Sequence, residues 1–458
     1  MQGDGEYQLS TFQSSQALIR VHPSLGTQMA LRRGQRCWFV CGAQMVEVPV
    51  VFDDTVPNDF VFCSTSLIER VQAMDLDVQS ARVTQDVIAV SPRIGILSNP
   101  VWNEKQGKLR RTKQLPALEK LVQAGERQGA LCFIFRLQDV DFQTLRVKGY
   151  RFLNQRWEPV VLPLPDAVYD QVISRKLERS PEYAKKRTKL TKLFGNRLFN
   201  SGFFDKWQVY QWLSTDVRTK KHVPATIRYT RLREAASFVQ RYPTSFLKPV
   251  HGSLGLGIVR LTRLQDGTFL YEVKRSNQGP AHGKVQNAEE AVKAFKSRLI
   301  ARPYLLQQGI PLKTQKGRPF DIRILLQRDS TGEWKRTKMF ARIARQGDFT
   351  SNLSSGGEAL AVATVLGEIY ASSEQRKRIT RDIRRISRTA VEVMEQQAGT
   401  QFGELGLDLG IDEMGHVWII EVNSKPWKSP TTEKGRQDLV DLAFARPMQY
   451  AIRLAQHK

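Results

Sequence analysis

The chain has 458 residues, 41% of them hydrophobic and 9% aromatic. That is enough for two or three domains with real cores and too apolar for a chain that is mainly disordered. Lysine and arginine number 70 against 45 acids, a formal charge of +25, which draws the protein toward polyanions at low salt without naming one. The apolar runs are strand-length, such as Leu131–Phe135, far short of the roughly 20 residues of a membrane span. The polar, acidic start Met1–Ser10 lacks a secretory pattern, so the cytoplasm is the expected compartment.

From Ala17 to about Val90, short β-rich segments (Cys37–Val40, Val46–Phe52, Phe60–Cys63) alternate with Gly, Pro and Asp turns, which predicts a small mainly-β domain over residues 1–90. Cys37 and Cys41 share a strand face, but no second Cys or His pair lies nearby to complete a zinc site. Reduced, partly buried thiols are expected for these two and for Cys63 and Cys132. Next, Ile94–Leu97, Leu115–Gln128 and Leu131–Phe135 read as strand, helix and strand. That order belongs to an open parallel sheet and predicts an α/β unit over residues 91–174, closed by Pro163–Asp170.

The remainder, residues 175–458, opens on a basic run from Arg175 to Arg197. Ser245–Val250 reads as a strand carrying Lys248, His251–Gly257 as a glycine turn and Ile258–Leu261 as the returning strand. Glycines let backbone N–H groups approach phosphate oxygens, and a strand lysine adds a point charge. The loop is neither a Walker loop nor a dinucleotide fingerprint, because no Gly-Lys-Ser/Thr follows and the next element is a strand. Tyr304–Ile310 is a strand ending in polar amides that suit an adenine edge. Arg318–Leu326 alternates so that Asp321 and Arg323 share a face, with Arg323 the expected salt-bridge partner of Asp321. Ala341–Phe349 then runs into the polar stretch Thr350–Gly357.

Arg376, Lys377, Arg378, Arg381, Arg384, Arg385 and Arg388 interleave with Ile379, Ile383, Ile386, Ala390 and Met394 at helical spacing, an amphipathic helix with a basic face. Such a face is either solvated or a contact for nucleic acid or another anionic polymer. Last comes Gly406–Gly410, a polar turn at Asp412–Gly415, and Val417–Asn423. Glu421 and Asn423 share one face of the second strand and Asp408 lies on the first, so three oxygen donors converge. The set suits Mg²⁺, which takes one or two carboxylates plus water and phosphate, or it is a polar edge facing water. Asp408-Leu409-Gly410 mimics the metal-binding tripeptide of protein kinases, but no His-Arg-Asp catalytic loop is present.

In order, these parts resemble the ATP-grasp superfamily: lysine with glycine loop, amide strand, Asp-x-Arg, Gly347-Asp348-Phe349 with Ser351-Asn352-Leu353, then Asp and Glu-x-Asn. The later half is similar to the ribosomal-protein glutamate ligases. The whole chain looks still more like the YheC/YheD group of endospore coat-associated ATP-grasp proteins, in Gly95-Ile96-Leu97, Leu164-Pro165-Asp166 with Tyr169, Asn200–Trp207 and Gln307–Ile310. The resemblance implies an α+β fold in which two α+β subdomains grip ATP, preceded by an α/β pre-grasp unit and the small β domain. It implies that Lys206 and Lys248 contact the phosphates, that the loop Gly252, Ser253, Gly255 and Gly257 covers them, and that Gln307, Gln308, Gly309 and Ile310 hold the adenine. Arg323 and Arg342 would stabilise the transferring phosphoryl group with Asn352 completing the catalytic set, and Asp408, Glu421 and Asn423 would ligate Mg²⁺.

The implied activity is an ATP- and Mg²⁺-dependent carboxylate-amine ligation through an acyl phosphate, on small-molecule or peptide substrates. The alternative is a nucleotide-binding spore-coat structural protein whose basic surface holds an anionic polymer or coat proteins, and the implied location is cytoplasmic or spore coat-associated. The chain departs from relatives at Gln308, where an acid is common, and at Ser424-Lys425-Pro426-Trp427, where many ligases carry a small residue before Pro-Gly.

Overall fold

In the computed structural model the described residues are 5–29, 35–41, 44–71, 80–84, 86–252, 256–273, 281–348, 351, 356–431 and 435–456. Seven strands between Gly5–Phe12 and Val87–Val90 close into a barrel. Strand alternation turns Cys37, Phe39 and Cys41 of Arg36–Cys41 inward, where they pack with Val48, Val61 and Cys63. The four cysteines are free and buried, and burial pushes the Cys37 thiol up to about 12.

The next sheet orders Arg156–Pro163, Arg146–Leu153, Leu131–Asp141, Arg93–Leu97, Ala167–Asp170 and Leu198–Phe199. Arg93–Leu97 runs parallel to both Leu131–Asp141 and Ala167–Asp170. Helix Leu115–Glu126 covers one face together with the chain's last helix, Gln437–Gln456, whose Val440, Phe444, Met448 and Ala451 share its core. Gly125 permits this close approach, since a Cβ there would stand 2.3 Å from Cys132 Sγ and 2.8 Å from Met448 Cε. Helix Pro181–Phe194 packs on the other face through Tyr183, Leu190 and Phe194. The sheet therefore extends past the expected boundary at residue 174, because Leu198–Phe199 pairs with Ala167–Asp170 and the C-terminal helix returns to it.

Two further sheets follow. The first is antiparallel, in the order Thr226–Arg228, Tyr304–Gln308, Thr244–Pro249, Val259–Arg263, Phe269–Val273, Ala281–Val285, with helices Leu232–Arg241 and Ala288–Lys293 on one face. The second orders Glu358–Leu360, Trp334–Ile343, Arg318–Arg328, Glu404–Ile411 and Val417–Asn423, also antiparallel. Its core is closed by helices Lys206–Thr215, Val362–Ile369 and Ser373–Ala398. The long helix starts where Ser372 caps the Gln375 N–H and stops at Gly399, φ 59°. It buries Ile379, Ile383, Ile386, Ala390 and Met394 and leaves Lys377, Arg378, Arg381, Arg384, Arg385 and Arg388 exposed. Among the described residues no helix is long and apolar enough to cross a membrane.

Candidate functional site

The two antiparallel sheets and the elements near residues 113 and 173 enclose a cleft of about 860 Å³. One wall presents Lys248 and Gln307, neighbours on paired strands that are joined by a 2.5 Å hydrogen bond from Lys248 Nζ to Gln307 Oε1. The Gln307 amide is oriented in turn by donating to Thr226 Oγ1. Lys206 is the first residue of helix Lys206–Thr215, where Asp205 caps the Trp207 and Gln208 N–H groups. The Lys206 N–H donates to Val250 O, which ties this helix start to the end of the Lys248 strand. Burial, and then the nearby Lys206 charge, lower Lys248 to about 8.

The facing wall carries Glu421 and Asn423. Lys206 Nζ donates to Glu421 Oε1 across 2.5 Å, so that despite desolvation the ammonium holds the Glu421 carboxyl below its ordinary value. Register sets the residues behind: Asp408 lies opposite Glu421, Arg323 opposite Asp408, and Arg342 opposite Asp321. Arg342 Nη2 is 2.9 Å from Asp408 Oδ2 and also pairs with Asp321. Arg323 Nε lies 2.7 Å from Asp408 Oδ1 as an ion pair without hydrogen-bond alignment, and that buried oxygen accepts no hydrogen bond among the described residues. Burial pushes Asp408 up to about 6 against the pull of both arginines. Asp408 and Asp321 keep the Arg342 guanidinium above its ordinary value although burial works the other way.

The structure thus brings Lys206, Lys248, Gly252, Gln307, Glu421 and Asn423 to one cleft. Asp408, Arg323 and Arg342 stand one to three strands further back. Asp321 pairs with Arg342, not with Arg323 as expected, because Arg342 is its cross-strand neighbour while Arg323 is drawn to Asp408 on the other side. Ser351 also donates to Asp321. Gln308, Gly309 and Ile310 do not line the cleft: alternation turns Gln308 away from Gln307, its amide oxygen accepts from Ala225 N, and the Gly309 N–H donates to Thr244 O. Gly257 faces Arg302 and Tyr304 instead. Ser253, Gly255 and Asn352 lie outside the described residues.

Several residues around the site carry no simple sequence signal. Asn200, fully buried with φ 56°, donates to Glu404 O and Ser424 O and accepts from the Gly403 and Glu404 N–H groups. Lys425, 1% exposed, is clamped by Asp170 and Glu178. Trp427 projects into the cleft, 60% exposed. The Asn200–Trp207 segment, which carries the family resemblance, and the unusual Ser424–Trp427 stretch were the hints.

The donor set fits a hard cation. Asp408 offers a buried oxygen that pairs with Arg323 but accepts no hydrogen bond among the described residues, Glu421 a carboxylate on the neighbouring strand and Asn423 an amide oxygen.

The endospore coat-associated protein YheD of Bacillus subtilis (strain 168) is 29% identical over 339 residues, 74% of this chain and 73% of that protein. YheC of the same organism is 27% identical over 297 residues, 63% of this chain and 78% of that protein. Among solved structures, the VanG D-Ala:D-Ser ligase from Enterococcus faecalis superposes with TM-score 0.45 at 13% identity, over 80% of this chain and 99% of that one. The D-cycloserine synthetase DcsG gives 0.46 at 13% identity, with the same coverage. A model described as YheC/D-like ATP-grasp matches residues 195–454, more than half of the chain, which therefore belongs to the YheC/D-like ATP-grasp family.

Proposed function

We propose that the protein is an ATP- and Mg²⁺-dependent carboxylate-amine ligase. The observation that carries this reading is the opposition, within one cleft, of Lys206, Lys248 and Gln307 to Glu421 and Asn423, with Asp408 and its two arginines directly behind. Lys206 and Lys248 would hold the nucleotide phosphates, and Gln307 would hydrogen-bond the base. Asp408, Glu421 and Asn423 would hold the metal, whose chemistry is to neutralise phosphate charge. A substrate carboxylate oxygen attacks the γ-phosphorus, the bond to the β-bridging oxygen breaks and ADP leaves. An amine then attacks the acyl phosphate carbon, forms the amide, loses its proton and expels phosphate. Positioning and charge neutralisation account for such a step, and no covalent protein intermediate is needed.

The test is a screen of carboxylate and amine pairs for ADP, with Glu421→Ala as the blank. Release that needs both substrates and vanishes in the variant supports the reading. Full nucleotide turnover in Glu421→Ala overturns it. The exposed basic face of helix Ser373–Ala398 favours a second reading, a nucleotide-binding coat component that holds an anionic polymer. Its signature is ATP-dependent stabilisation with no product, together with polymer binding that weakens steeply with salt.

A further inference from the structure

Behind the Phe203–Phe204 wall of the cleft lies a second pocket of about 360 Å³. Arg175, Phe203 and Phe204 line both spaces. The smaller one adds Arg179, Arg187 and His251, with Trp212 and Phe402 as an aromatic side. Its one carboxylate among the described residues is Glu178. That group is already engaged by Lys425 at 3.1 Å, by Arg187 at 3.7 Å and by the Phe203 N–H.

Of the basic residues, His251 lies 3.9 Å from Asp205 and burial lowers its pKa, so it offers a hydrogen bond rather than a full charge, whereas two of the arginines are less committed. Arg187 is fixed by donating from Nε and Nη2 to Ser201 Oγ. Arg175 lies 4.2 Å over the Phe203 ring, reaches one backbone oxygen at 3.4 Å and forms no ion pair among the described residues. Arg179 is exposed and likewise forms no ion pair among them. Two guanidinium groups with free donors, in a concavity walled by aromatic rings, favour a bound carboxylate or phosphate.

The main cleft is unbalanced in the same way. Lys113, Arg175, Lys206, Lys248 and Lys425 face Glu421 alone among the described lining residues. Nucleotide phosphates would account for Lys206 and Lys248, and Asp170 with Glu178 for Lys425. Lys113 and Arg175 are left over, and of these Arg175 is shared by both spaces.

We propose that the pocket of Arg175, Arg179 and His251 binds an anionic group, carboxylate or phosphate, of the substrate condensed in the adjoining cleft. The substrate is then at least dianionic, such as an acidic peptide, and not a neutral or singly charged amino acid. The substrate assignment rests on the ligase reading; the anion site does not.

Calorimetric titration of the full chain, loaded with Mg²⁺ and a non-hydrolysable ATP analogue, tests this with three probes: tri-glutamate, tri-glutamine and inorganic phosphate. Tri-glutamate is expected to bind at least tenfold more tightly than tri-glutamine, and phosphate is expected to compete with it. Arg179→Ala should lose at least tenfold and Arg179→Lys should recover most of that, while nucleotide-induced thermal stabilisation stays unchanged. Phosphate binding that tri-glutamate cannot displace would make the ligand a phosphate and overturn the acidic-peptide form. Equal affinity for the two peptides, or an Arg179→Ala protein that binds tri-glutamate as the parent does, overturns the site. Tight, Arg179-dependent binding with no ADP from any acidic substrate would leave the site standing and remove the ligase reading beneath it.

Discussion

Lys206 Nζ and Glu421 Oε1 stand 2.5 Å apart across the cleft, so a helix-start lysine and a strand carboxylate neutralise each other. In the proposed reading the carboxylate turns to Mg²⁺ and the lysine to phosphate. Mg²⁺ and ATP together should therefore stabilise the fold more than the sum of each alone, where a single ligand at a hundredfold excess over its Kd contributes about 2.7 kcal/mol. Thermal unfolding of Glu421→Gln should keep at most the Mg²⁺-independent part. An undiminished shift in that variant would remove Glu421 from the metal site.

Lys248 supplies a pH dependence with a defined sign. Burial, and then Lys206, lower it from 10.5 to about 8. Between those values the unfolded chain holds a proton that the folded protein has lost, so this group makes stability rise with pH from about 8 to 10.5. Its contribution is lost as pH falls through 8. Lys248→Met should flatten that rise and stabilise the ligand-free protein at pH 7 by up to about 3 kcal/mol. Phosphate beside the amine favours its charged form, so nucleotide binding near pH 8 should take up a proton. Calorimetry in buffers of different ionisation enthalpy reads that uptake, and its persistence in Lys248→Met would assign the proton elsewhere.

Asn200 fastens the start of one site strand to the end of the other, through Glu404 O, Ser424 O and two N–H groups. Its φ of 56° is a conformation that asparagine tolerates better than most residues. Asn200→Ala strands several buried groups and should cost about 3 kcal/mol in urea unfolding. Nucleotide-induced stabilisation should weaken with it, because Ser424 follows Asn423 directly. A loss under about 1 kcal/mol would show that water replaces the side chain.

Local patterns made much of this fold legible. Strand alternation announced the inward Cys37 and Cys41, the 3.6-residue period exposed the helix around Ile379–Met394, and the hairpin through Asp412–Gly415 placed Asp408 opposite Glu421. What stayed hidden depends on contacts between distant segments. Asp321 and Arg323 share a face, yet their ion-pair partners come from the two flanking strands, which a single strand cannot show. The amide strand looked like four adenine contacts, but strand pairing uses Gln308 and Gly309, which leaves Gln307 in the cleft. The sheet boundary failed for the same reason, since Gln437–Gln456 returns from the far end of the chain.

Glu404 and Lys428 form a deeply buried ion pair that no local pattern announces, at 0% and 4% side-chain exposure. Lys428 Nζ is 2.6 Å from both carboxylate oxygens and 2.9 Å from the Tyr169 hydroxyl, which itself donates to Glu404. Gln327 donates both to Glu404 and to Ala443 O of the last helix. The cluster thus joins the sheet of Glu404–Ile411, the mixed sheet around Arg93–Leu97, helix Gln437–Gln456 and the segment that follows Asn423. Removing one charge leaves the other buried and uncompensated, so Lys428→Met should cost about 3–5 kcal/mol in urea unfolding. Adding Glu404→Gln should return a large part of that loss, because the group left at 404 is then a neutral amide and no buried charge stands uncompensated. If the double variant were as unstable as Lys428→Met, packing of the lysine stem rather than charge would hold this junction together.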